Sequence, residues 1–99
     1  MKSIMQTDDS YCYLCRKLHD DDFPKVTEEH HVVFGNGRRS ASEKWGLKIR
    51  LCKYHHTEGK EAVHRNREIA DMVKQDAQRE FEKRFPEESF LQIFGRNYL

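Results

Sequence analysis

The sequence predicts an α+β fold, a β-hairpin followed by helices, and three observations predict it. Glu29 to Phe34 is rich in β-branched and aromatic residues and stops at Gly35-Asn36-Gly37, while Leu47-Lys-Ile-Arg-Leu51 alternates apolar and polar residues. These read as the two strands of the hairpin. Further on, Ile69, Val73, Ala77, Phe81 and Phe85 recur every four residues, joined by Met72, which is the spacing of one helix face. Finally, Cys12-Tyr-Leu-Cys15 and Cys52-Lys-Tyr-His55 are pairs with two residues between, the separation at which a backbone knuckle aims two ligands at one metal. Joined at a common ion, the pairs would brace the hairpin.

Each element follows in order. Residues 1–10 show no apolar pattern and are expected as a flexible tail, leaving 11–99 as a single domain. Tyr11 to Leu18 forms the first knuckle, and His19 to Pro24 an acidic loop ending at a proline, which disfavours helix in the residue before it. Within that loop, Asp20-Asp21-Asp22 reads as a solvated turn. Arg38 to Gly46, between the strands, is expected as a long basic hairpin loop. Cys52 to Gly59 carries the second knuckle into the first turns of a short helix. Asn66 is placed as the N-cap of the long helix, which Pro86 closes or bends. A last short helix, Ser89 to Phe94, stops at Gly95. The aromatic stripe is core.

Composition gives a reason to expect a metal, the usual remedy for a small core. A hydrophobic share of 36%, a charged share of 35% and a mean hydropathy of -0.98 leave little for a core in 99 residues. Metal-binding free energy is then folding free energy. Three cysteines, an odd number, argue against a simple disulfide framework. No apolar run approaches the roughly 20 residues of a membrane span, and Met1 to Ser10 lacks the apolar core of a signal peptide. The expectation is a cytoplasmic protein with no membrane contact. Net charge is only +1, but residues 35–67 hold nine cations against three acids, flanked by segments of balance -3 and -2. A basic middle between acidic ends suits a phosphate backbone.

Cys12, Cys15, Cys52 and His55 use every cysteine and make a closed tetrahedral set for structural zinc. The plain alternative is three reduced cysteines packed as small hydrophobes. His56 could replace His55 only across a three-residue spacer, which a short knuckle tolerates less well. Adjacent strand residues point to opposite faces, so of His30 and His31 one can aim at a metal while the other addresses another part of a cleft. Two strand histidines without a role is the bland reading. Topology weighs against it. If one zinc joins both pairs, His56 leaves the knuckle beside it and the hairpin begun at His30 is tied to the same point.

On these residues the chain resembles the HNH, or ββα-metal, endonuclease superfamily. Glu29-His30-His31-Val32-Val33 is similar to that family's first-strand motif, and Leu51-Cys52-Lys53-Tyr54-His55-His56 to a zinc knuckle leading into its helix. The resemblance covers about residues 12–66, leaving 67–99 as a C-terminal helical extension. It implies a zinc-braced ββα-metal core, with His30 and His56 holding a catalytic divalent ion and His31 as general base. Small phage-encoded members, including recombination-enhancement nucleases, have a similar Cys-x-x-His-His run continuing to a further histidine, which points to His64 as another ligand. Asn36 is the nearest substitute by sequence for the asparagine the family carries before its second strand.

The residue types suit phosphodiester hydrolysis. Histidine's reference pKa of about 6.5 fits a base acting on water near neutral pH. A divalent ion stabilises charge on the phosphoryl and leaving oxygens, and Mg²⁺, Mn²⁺, Ni²⁺ and Zn²⁺ are the candidates, imidazole favouring the last three. DNA is the expected partner, met by Arg38, Arg39, Lys44 and Lys48, and other phage or recombination proteins remain open as partners. The expected activity is nicking of one strand, with the oligomeric state unspecified. The competing expectation is a non-catalytic zinc-binding module for DNA or a protein, which would have no need of His30, His31 and His56.

Overall fold

A computed structural model describes residues 1–35 and 37–99. Its elements in chain order are α1 (Tyr13–His19), β1 (Glu28–His31), α2 (Arg38–Trp45), β2 (Lys48–Leu51), a π-helical turn (Tyr54–Glu58), α3 (Arg67–Arg84) and α4 (Phe90–Phe94). The fold class is α+β. The strands form a two-stranded antiparallel sheet in which His30 faces Ile49 and His31 faces Lys48 across the ladder. Both strands are shorter than their sequence patterns: past His31 the Val32 N–H still donates to Leu47 O at 3.0 Å, but Val33 turns its backbone to Ser42.

The connection from Arg38 to Gly46 is a helix, not the expected basic loop. Its eight residues lie between two glycines at positive φ, Gly37 at 80° and Gly46 at 75°. Its position between two strands implies a loop, yet Arg, Ala, Glu and Lys are all good helix formers. Tertiary contacts fix the helix. Buried Ser42 donates through Oγ to Val33 O at 2.6 Å and accepts the Val33 N–H at 3.1 Å, while Trp45 packs edge-on against Phe81 and Phe85.

The first ten residues are also anchored rather than loose. Ile4 is buried, and its N–H donates to Gly46 O at 2.9 Å. Gln6 lies along β2, where its Oε1 accepts the Arg50 N–H at 2.9 Å. A side-chain amide thus serves an edge strand whose backbone would otherwise lack partners. No period marks such a segment in sequence.

The helical half follows the pattern. Asn66 caps α3 by accepting the Ile69 N–H at 3.2 Å, and Ser89 caps α4 through Gln92. Val73, Ala77 and Phe81 are buried on one face of α3, and Phe81 meets Trp45, Phe85, Phe90 and Phe94 at centroid distances of 5.3–5.8 Å. The buried apolar residues of α3 and α4 share one core with Ile49 and Leu51 of β2. No helix among the described residues is long and apolar enough to cross a membrane.

Candidate metal centre

Cys12 precedes α1 and accepts the Cys15 N–H on its sulfur at 3.5 Å, which turns both sulfurs to one side. β2 then delivers Cys52, and the π-helical turn delivers His55. Its Nδ1 lies 3.7 Å from Cys12 Sγ, 3.4 Å from Cys15 Sγ and 3.5 Å from Cys52 Sγ, and the latter two sulfurs are 3.8 Å apart. Tetrahedral zinc, with bonds of about 2.3 Å to sulfur and about 2.0–2.1 Å to nitrogen, implies edges of about 3.8 Å and about 3.6 Å. The four donors therefore fit a structural metal such as zinc.

The surroundings fit it too. Burial pushes the Cys15 thiol up to about 12, against the Lys25 ammonium, which donates to its sulfur at 3.3 Å. A divalent ion reverses that preference by binding the thiolate. Burial lowers the pKa of His55, and Glu61 opposes the shift. Glu61 Oε1 lies 3.2 Å from His55 Nε2 and 2.8 Å from His19 Nε2, so it can hold the ring with Nδ1 toward the sulfurs.

Beside this cluster lies a second one. His30, His56 and His64 bring ring nitrogens within 4.8 Å of one another, and their centroids form a triangle with sides of 4.9, 5.1 and 5.3 Å. His30 comes from β1. His56 leaves the π-helical turn away from His55, since neighbouring residues on such a turn point in different directions. His64 arrives eight residues after His56 without an unbroken helix between them. The chain reverses after Gly59, and the Val63 and His64 N–H groups donate to His55 O and His56 O at 2.9 and 3.3 Å. A Cβ at Gly59 would run into the Tyr54 ring, which lies directly against the glycine backbone at this reversal.

Burial, reinforced by His64 and His56, depresses the pKa of His30 to about 3, which keeps it neutral as a ligand must be. His56 Nδ1 lies 2.9 Å from Glu28 Oε1, leaving Nε2 for an ion. Phe34 borders the cluster, with its ring 5.4 Å from that of His64, and Lys74 of α3 reaches over Phe34.

His31 does not join these histidines. Strand alternation puts it on the opposite face of β1, where Nε2 lies 3.0 Å from Glu43 and 3.7 Å from Glu29. Of the four expected DNA cations, Arg39 and Lys44 are exposed. Arg38 is half-buried and donates to Ile93 O at 3.1 Å, so it anchors α4 rather than standing free. Lys48 is engaged with Glu43 Oε2 at 2.7 Å. Asn36 lies outside the described residues. Sequence reasoning missed Glu28, Glu43 and Glu61. Only Glu28 carried a signal, two residues before His30 on the same face of a strand. Compared with protein-family models, curated proteins and solved structures, the chain matches none of them.

Proposed function

We propose that the protein is a metal-dependent endonuclease of the HNH, or ββα-metal, type, hydrolysing DNA phosphodiester bonds. The observation that carries this reading is the triangle of His30, His56 and His64 beside a complete Cys₃His set. Structural zinc takes four protein ligands, whereas three imidazoles leave positions open for water and a phosphate oxygen. A divalent ion there would supply Lewis-acid stabilisation of the charge on the phosphate and its leaving oxygen. His30, His56 and His64 each offer one nitrogen to it, and Glu28 orients His56.

His31 takes the role of base, accepting a proton from the attacking water. That role rests on the likeness of Glu29-His30-His31-Val32-Val33 to the family's first-strand motif, in which one histidine binds the ion and its neighbour on the strand activates water. Arg39 and Lys44 hold the DNA backbone. A plasmid nicking assay with Mg²⁺, Mn²⁺, Ni²⁺ or Zn²⁺ tests this, run beside His31→Ala. Wild type is expected to nick, and the variant to bind DNA and zinc normally but cut about 10²–10⁴ times more slowly. A wild type inactive with all four metals would leave a non-catalytic zinc-binding module as the reading. A variant as fast as wild type would remove His31 from the mechanism.

A further inference from the structure

The partners of His31 fix which of its nitrogens carries the hydrogen. Glu43 Oε1 lies 3.0 Å from Nε2, and a carboxylate can only accept, so Nε2 is the N–H. Arg39 Nε lies 3.4 Å from Nδ1, and a guanidinium can only donate, so Nδ1 presents its lone pair. The His31 side chain is 10% exposed and therefore held in place, whereas Arg39 is exposed and makes one long contact that a phosphate can replace.

Glu43 is itself gripped from both sides. Lys48, opposite His31 in the ladder, donates to Oε2 at 2.7 Å, while Oε1 takes His31. Lys48, followed by His31, lowers the Glu43 pKa to about 2, which keeps it an acceptor. Glu29, His31 and Glu43 are close enough together to suggest a third metal site. The Lys48 ammonium, 2.7 Å from one carboxylate and 3.9 Å from the other, already supplies the positive charge there.

We propose that Glu43, fixed by Lys48, is a positioning residue that holds His31 as its Nε2–H tautomer and so makes Nδ1 the nitrogen that accepts the proton of water. The assignment of Nδ1 as a base rests on the nuclease reading; the tautomer and its dependence on Glu43 do not. In the step itself water gives its proton to Nδ1, the hydroxide bonds to phosphorus, and the 3′ oxygen leaves. The imidazolium then lies against the Glu43 carboxylate, where a charged hydrogen bond stabilises it.

Long-range ¹H–¹⁵N spectra of the zinc-loaded full chain at neutral pH read the tautomer directly. Wild type is expected as Nε2–H, and Glu43→Gln as a mixture, because an amide can donate as well as accept. In cleavage, Glu43→Gln should lower kcat at least about tenfold with KM for DNA unchanged, and Glu43→Asp should recover part of the loss. On a His31→Ala background Glu43→Gln should cost nothing further, since the two act as one unit. An unchanged Nε2–H tautomer in Glu43→Gln, or losses that simply add, would overturn the assignment. Should wild type cut no DNA, the nuclease reading fails, while the tautomer measurement still decides the role of Glu43.

Discussion

Neighbouring histidines in this chain are sorted by backbone geometry rather than by chemistry. His30 and His31 part across a strand, and His55 and His56 part around a π-helical turn, so four consecutive-pair residues serve three different places. The candidate ligands also share a device. His55 and His56 each meet a carboxylate through the nitrogen not aimed at the cluster, Glu61 and Glu28 respectively. Such partners typically decide metal affinity by about 10–100-fold. His56→Ala should therefore weaken the second ion, so that excess metal restores part of the nicking rate, and Glu28→Ala should do the same to a smaller degree. Metal titrations of the nicking rate check both, and a loss that no metal concentration relieves would remove His56 from the ligand set. The histidines and cysteines were legible in sequence because they are few and spaced. The carboxylates were not, since Glu28, Glu43 and Glu61 are three among 17 acidic residues that no spacing distinguishes.

At the scale of elements, α3 and α4 were legible because one apolar period and three capping residues agree along the sequence. The segment at 38–45 was not, because its helix depends on Ser42 reaching Val33 and Trp45 reaching Phe81, contacts that a local reading cannot contain. The error changes what its arginines do. A loop would have offered Arg38 and Arg39 together to DNA, whereas the helix turns Arg38 to Ile93 O and leaves Arg39 outside. Arg39→Ala should lower the salt slope of DNA binding by about 1 with little change in sequence preference. Arg38→Ala should leave the slope unchanged and lower the melting temperature, as α4 loses an anchor. Binding isotherms across salt, beside thermal melts, separate the two. A lowered slope in Arg38→Ala would show that Arg38 reaches phosphate after all.

For the whole molecule, the question is what holds two halves of different construction together. The aromatic cluster around Phe81 unites α2, α3 and α4, while α1, the end of β2 and the π-helical turn meet at Cys12, Cys15, Cys52 and His55. β2 spans both, with Ile49 and Leu51 buried in the shared core. Small domains are stable by only about 5–15 kcal/mol, and a structural zinc in finger peptides contributes about 10–16 kcal/mol. A zinc held there would therefore contribute as much free energy as the entire fold has to spare. The zinc expectation came from spacing alone, and the tertiary distances agree with it to within about 0.2 Å of a tetrahedron's edges. One zinc per chain should survive dialysis, and Cys52→Ser should lose it and unfold cooperatively, the aromatic half included, because β2 belongs to both. Native mass spectrometry with circular dichroism measures metal content and folding on the same sample. A folded, metal-free chain would mean that the cysteines pack as ordinary small hydrophobes and that the core around Phe81 suffices by itself.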